Sequence, residues 1–333
     1  MSGQVRIIRE AEMRAALDMG SCIDAVAKAF ADYSGGRAEL PAVIHLDVPD
    51  HGGEIHVKGG YIHGGEVYAV KFASGFPGNV DLGLPTSDGV VVVFSARTGE
   101  LAAILLDHGF ITSQRTGAAG GVVARCLSRE DSKVVGVLGT GLQARHQLDA
   151  LAIVRPFAEV RIWGRDEWVP SARQCVEELP ERPGMPEGAT YALSGSVEEA
   201  VRGADIVITC TASREPLVDE AWLSPGMHIT AVGSDGPGKQ ELDPRILAHA
   251  DILVVDSRPQ CAERGELQHA LDLVDADSIP ELGEVVAGTV PGRTSPEQTT
   301  VCDLTGVGVQ DVAAAELVLK RAVKAGLGEA LEL

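Results

Sequence analysis

The chain has 333 residues, enough for two domains of ordinary size or for one domain inserted into another. Apolar residues make up 45% of it and lie in short runs, which excludes disordered and fibrous classes. With 28 Lys and Arg against 48 Asp and Glu, the formal charge of −20 repels phosphate backbones and anionic lipid and argues against nucleic acid and membrane surfaces as partners.

At contact range nearby groups and backbone dipoles dominate, so a dinucleotide or a carboxylate substrate remains compatible with that charge. The six cysteines are widely separated, with no CxxC pair and no zinc-like spacing, and read as reduced thiols. Met1-Ser2-Gly3-Gln4-Val5-Arg6 has no apolar signal core, and no stretch approaches the roughly 20 apolar residues of a membrane span. A cytoplasmic location is expected.

Helical apolar spacing covers 10–17 and 21–33, the second run stopping at Ser34-Gly35-Gly36. From 42 to 106 the texture becomes β-branched runs between glycine-rich turns. It predicts strands at 43–48, 54–58, 67–72, 89–95 and 101–106 in a mainly antiparallel sheet, with Arg97-Thr98-Gly99 as a hairpin connection. A helix at 112–127 with the small face Gly117-Ala118-Ala119-Gly120-Gly121 joins the domains.

After Lys133 the pattern is strand 134–138, helix 142–153, strand 160–163 and helix 167–179. A capping box, Ser196 with Glu199, opens a short helix, and buried strands follow at 206–210, 228–232 and 252–255. Five parallel strands predict a doubly wound α/β sheet of Rossmann type. An apolar run and glycine turn at 301–308 lead into an amphipathic helix at 309–324, expected to return to the first domain.

Gly139-x-Gly141-x-x-Ala144 stands directly after a buried strand and before a helix, the context in which this pattern marks a dinucleotide site. Gly139 permits the turn, Gly141 lets backbone approach the pyrophosphate, and the helix start at Leu142 and Gln143 supplies N–H donors. At the end of the second strand, Gly164 takes the place where an acidic residue would bind the ribose 2′-hydroxyl, and Arg165 follows. That pair favours NADP(H), with NAD(H) open because Asp166 is adjacent. Thr211, Ala231, Val232 and Gly233 end later strands and are candidate cofactor-lining backbone.

Lys71 interrupts an apolar strand. It is either a buried carboxylate binder or acid/base, or an outward-facing lysine on the strand's polar side. Arg115 precedes the small-residue helix face, with a substrate carboxylate or an interdomain salt bridge as its two readings. Asp235, in the loop after the 228–232 strand, is a candidate proton shuttle or a turn residue. His45, His51, His56 and His63 have no metal-like spacing, and no metal site is expected.

Several segments together resemble the ornithine cyclodeaminase/mu-crystallin family: Lys71 to Asn79, Gly83 to Thr86, Ile111 to Ala119, Gly139 to Ala144, Asp235 to Asp243 and Asp303 to Asp311, in family order. The resemblance implies a Rossmann domain (113–300) inserted into a smaller α+β substrate and dimerisation domain made from both chain ends (1–112 and 301–333). It also implies a homodimer. Carried over by position, Lys71 and Arg115 would hold a substrate α-carboxylate, Lys71 would also assist proton transfer as a catalytic residue, Asp235 would be the acid/base at nitrogen or water, and Thr86 would lie near the cofactor. The shared chemistry is hydride transfer between nicotinamide and the α-carbon of an amino acid or its imine.

Two departures stand out. Family cyclodeaminases carry an arginine where this chain has Ala42, which counts against ornithine cyclisation. His56 and Lys58 replace a common Met-Pro pair, and imply recognition of a further anionic or polar substrate group. A ketimine reductase or amino-acid dehydrogenase is therefore the leading expectation, followed by an amino-acid cyclodeaminase that recycles its NAD, and then by a ligand-binding protein of mu-crystallin type.

Overall fold

A computed structural model of the chain describes residues 4–165 and 170–332. The chain divides into two compact units, Met1–Arg115 with Val307–Leu333, and Thr116–Gly306. The division falls inside one helix, Phe110–Leu127.

The first unit is built on an eight-stranded sheet. Its order is Glu329–Glu332, Gln4–Arg9, Leu101–Leu106, Ser87–Ser95, Val67–Gly75 and Gly53–Ile62, with Ala38–Glu39 and Ile44–Val48 both pairing to the last of these. Every pairing is antiparallel except that of Gln4–Arg9 with Leu101–Leu106. The two terminal strands are additions to the sequence reading. Gln4–Arg9 buries only Val5 and Ile8, two apolar positions three apart, so its alternation is too irregular to mark a strand.

Strand register separates the two faces of this sheet. Ile44, Val57, Phe72 and Val90 are successive cross-strand neighbours on one face, and Ile44 and Phe72 are 61% and 45% exposed. Lys58, Lys71, Val91 and Leu105 form the neighbouring row and point the other way. Helix Gly308–Ala325 packs on that second face. Its first residue lies so close to the sheet that a Cβ on Gly308 would meet the Gly59 carbonyl oxygen at 2.5 Å. Glycine at 308 thus brings Gln310 and Asp311 down onto the sheet.

The second unit is a seven-stranded parallel sheet. Its order is Thr190–Leu193, Glu159–Trp163, Val134–Leu138, Ile206–Thr209, His228–Ala231, Thr300–Asp303 and Ile252–Val255. The chain starts at Val134–Leu138, moves outward through two strands, then crosses back to Ile206–Thr209. The strand order reverses there, at the switch point where such sheets bind ligands.

The α/β doubly wound class is observed, with two strands more than the five expected. Thr300–Asp303 is wholly buried and inserts between strands that precede it in sequence, so the expected start of the C-terminal segment at 301 lies within this unit's sheet. Glycines of the joining helix give the close packing expected of them: a Cβ on Gly117 would lie 2.5 Å from the His146 carbonyl oxygen. The capping box at Ser196 is altered. Ser196 Oγ accepts from the Glu199 N–H at 3.1 Å, while Glu199 reaches the Gly195 N–H, one residue before the cap. Among the described residues no helix is long and apolar enough to cross a membrane.

Candidate active site

In the second unit the turn at the switch point is set by contacts at its two glycines. Gly139 has φ of 122°, and a Cβ there would lie 2.8 Å from both the carbonyl oxygen and the Sγ of Cys210, the residue after strand Ile206–Thr209. Only glycine fits. Gly141 differs: a Cβ on it would meet nothing within 4 Å, so the protein's own packing does not demand glycine there. Gly141 is the N-cap of Leu142–Val154 and makes no side-chain cap bond, which leaves the first-turn N–H groups at Leu142 and Gln143 for an anion. Ala144 is fully buried beneath them. These residues fit a dinucleotide pyrophosphate.

The ends of the next two strands are latched by a residue that the sequence reading missed. Glu241, fully buried, accepts from the Thr211 N–H and Oγ1, both at 2.6 Å, and from the Gly233 N–H at 2.9 Å. Burial pushes its carboxyl up despite these donors. Ala231 and Val232 turn their side chains into the core. Of the four lining candidates, Thr211 and Gly233 are therefore committed to Glu241, and Ala231 and Val232 can offer only backbone. A carboxylate between Gln240 and Leu242 carries no local sign of partners tens of residues away.

In the first unit the row Lys58–Lys71 faces helix Gly308–Ala325, and a cationic cluster forms around one carboxylate. Lys71 Nζ donates to Asp311 Oδ1 at 2.8 Å, Arg115 Nε donates to the same oxygen at 3.0 Å, and Arg115 Nη1 donates to Gln310 Oε1 at 2.7 Å. Relative exposures are 2% for Lys71, 5% for Arg115, 8% for Lys58 and 1% for Asp311. The outward-facing alternative for Lys71 is excluded.

Burial pushes Lys71 down, Asp311 opposes, and the Arg115 charge adds to the lowering. For Asp311 burial acts upward, but Arg115 and Lys71 overcome it and hold the carboxyl below its usual range. Asp107, also buried, is pushed up by burial while its Oδ2 accepts the Ile111 N–H at 3.0 Å. Asp311 Oδ2 and Gln310 Nε2 are buried and have no hydrogen-bond partner among the described residues. Orphaned polar atoms beside clustered cations are what a polar ligand would complete.

The ornithine cyclodeaminase/mu-crystallin family profile matches residues 4–326. The chain belongs to this family. A protein of Rhizobium meliloti (strain 1021), provisionally named a dehydrogenase, is 41% identical, with 99% of each chain covered. Among solved structures, the chain is similar to an archaeal alanine dehydrogenase dimer with bound NAD, at 34% identity and a TM-score of 0.89, with 99% of both chains covered. It is also similar to the Δ1-pyrroline-2-carboxylate reductase of Thermococcus litoralis in complex with NADH and L-proline, at 31% identity and a TM-score of 0.90, with 98% of this chain and 99% of that one covered.

The other positions carried over from the family fall as follows. Asp235 is exposed in the loop after His228–Ala231, and Lys239 Nζ donates to its Oδ1 at 2.6 Å. Thr86 is exposed just before strand Ser87–Ser95, its carbonyl accepting the Phe76 N–H at 2.8 Å. His56 and Lys58 lie on strand Gly53–Ile62, two apart and thus on one face, with Lys58 directly opposite Lys71. Ala42 is exposed and outside any strand. A Cβ on Gly164 would come within 2.8 Å of Thr140 Cγ2, so glycine at 164 has a packing cause of its own, apart from cofactor choice. Arg165 is exposed, and Asp166 lies outside the described residues.

Proposed function

We propose that this chain is an NAD(P)H-dependent oxidoreductase acting at the α-carbon of an amino acid or its imine, of ketimine reductase or amino-acid dehydrogenase type. The observation that carries the reading is the buried cluster in which the cations Lys58, Lys71 and Arg115 outnumber the carboxyl groups Asp107 and Asp311, the latter held ionised by their charges. An excess of buried cations attracts a further carboxylate, and the α-carboxylate of an amino or imino acid has that chemistry. The glycine turn at the switch point and the activities of similar dehydrogenases and reductases support the same reading.

In this reading Lys71 and Arg115 bind the substrate carboxylate, and His56 and Lys58 recognise a further polar or anionic group. The nicotinamide supplies or accepts the hydride when bound. Reduction of an imine also needs one proton at nitrogen, and Asp235, exposed in the loop after His228–Ala231, takes it from solvent and delivers it. First-turn N–H groups at Leu142 and Gln143 hold the pyrophosphate, Thr86 contacts the cofactor, and backbone of Thr211, Ala231, Val232 and Gly233 lines its site. Exposed Arg165 supports NADP(H) through a guanidinium–phosphate pair, while the NAD and NADH complexes of similar structures keep NAD(H) as the second reading.

A homodimer formed through the first unit belongs to this proposal. The exposed apolar residues Ile44, Leu46, Phe72 and Leu106 on its sheet support that interface. All six cysteines are free, in keeping with a reducing cytoplasm.

The test is a screen of cyclic imines, α-keto acids with amines, and basic amino acids with NADPH and NADH, following nicotinamide absorbance and ammonia together. Net NADPH oxidation with an imino acid is expected, and Asp235→Asn should lower kcat by ~10²-fold or more without weakening dinucleotide binding. Ammonia release with no net cofactor change would establish the cyclodeaminase reading instead. Binding without turnover of any substrate would leave the ligand-binding role.

A further inference from the structure

We infer that the hairpin Ile44–Val48/Gly53–Ile62 carries a site for a divalent zinc-class cation, built from His45, His56 and Glu54; with the ion bound, His56 is its ligand and the further substrate group is left to Lys58. Sequence spacing hides it, because the ligands meet across the hairpin. His45 is the direct cross-strand partner of His56, and Asp47 is the partner of Glu54. Residues two apart on each strand share a face, so all four side chains project together.

The rings of His45 and His56 stand 4.7 Å apart in an edge-on arrangement, with their Nδ1 atoms 3.5 Å from each other. Two imidazole nitrogens bound to one tetrahedral zinc at about 2.0–2.1 Å are themselves about 3.4 Å apart. One nitrogen from each histidine and one Glu54 carboxylate oxygen all lie within 4.8 Å of one another, so small rotamer changes bring the three onto one ion.

The outer shell has the form that metal-bound histidine requires. Asp47 Oδ1 lies 3.0 Å from His45 Nε2, an outer carboxylate that orients the ring with Nδ1 towards His56. The set is two imidazoles with carboxylates, and it has no thiolate, which suits zinc, copper, nickel or iron in place of magnesium or calcium. Side-chain exposures of 34% for His45 and 24% for His56 leave room for entry from solvent.

The experiment uses the full-length, tag-free protein and the metal alone, so its outcome is independent of the reaction catalysed. Equilibrium dialysis with Zn²⁺ should find one ion per chain at neutral pH, and Co²⁺ should give visible bands of nitrogen and oxygen ligation. Affinity should fall at least tenfold in His45→Ala and in Glu54→Gln. Near-UV circular dichroism checks that each variant stays folded, and the Co²⁺ spectrum of the wild type needs no variant. Unchanged affinity in both variants, or a thiolate charge-transfer band placing the ion on cysteine, would each overturn the inference.

Discussion

Asp311→Asn isolates the physical core of the proposed substrate site. The substitution keeps the side chain's shape and removes the one charge that Lys71 and Arg115 share at 2.8 and 3.0 Å. At an effective dielectric of about 20, each contact is worth roughly 5–6 kcal/mol of Coulomb energy, most of which offsets desolvation of the ions. Stripping the counter-ion from buried cations then costs ~3–5 kcal/mol net. At roughly 2–4 °C per kcal/mol, Tm should fall by on the order of 10 °C.

The loss should depend on pH with a definite sign. Burial already holds Lys71 below its ordinary value of 10.5, and Asp311 opposes that shift, so in the variant the amine falls further. Between the depressed and the ordinary value the native state binds fewer protons than the unfolded chain, and stability rises with pH. The deficit of Asp311→Asn should therefore shrink from pH 7 towards about pH 9. Urea unfolding of the wild type, Asp311→Asn, Lys71→Met and the double variant at both values gives the coupling energy directly. A deficit below about 1 kcal/mol, typical of a surface ion pair, or one that grows with pH, would refute the argument.

Two glycines of one turn should respond differently to alanine. Gly139→Ala meets Cys210 at 2.8 Å from a positive φ and should destabilise the second unit, seen as a lowered Tm before any cofactor is added. Gly141→Ala meets no protein atom within 4 Å and should keep its Tm while NAD(P)H affinity, read by nicotinamide fluorescence, drops at least tenfold; retained affinity would remove Gly141 from the site. Burial lifts Asp303 to about 7, helped by Asp256 and opposed by the Leu267 N–H. Its raised pKa means stability present below 3.8 and lost as pH rises through about 7, so Tm should fall less between those values in Asp303→Asn than in the wild type. Parallel Tm profiles would contradict this.

The parts legible in the sequence are those fixed by local pattern. Val134–Leu138, Leu101–Leu106 and Ile252–Val255 have the bounds read from runs of apolar residues between breakers. Gly139 was legible because its conformation is demanded within the turn. Thr300–Asp303 was not, because an apolar run broken by Asp303 reads as a loop; only the sheet that buries it makes it a strand. The charge on Lys71 was visible from the start, but its direction was not, since strand alternation alone does not say which face a helix covers.

The same distinction explains why the carboxylates were missed. Asp311, Glu241, Asp303 and Glu54 act through partners far away in sequence: Lys71 across 240 residues, Thr211 across 30, Leu267 across 36, and His45 across a hairpin. An acidic residue within an apolar stretch carries a physical signal nonetheless, because burying it costs several kcal/mol unless donors or cations meet it. Asp311 lies in such a stretch, between Val309 and Val312. By that criterion the sequence pointed to a compensating cation, and Lys71, the basic residue within an apolar strand, is the complementary anomaly. Pairing the two anomalies requires only that each be too costly to bury alone.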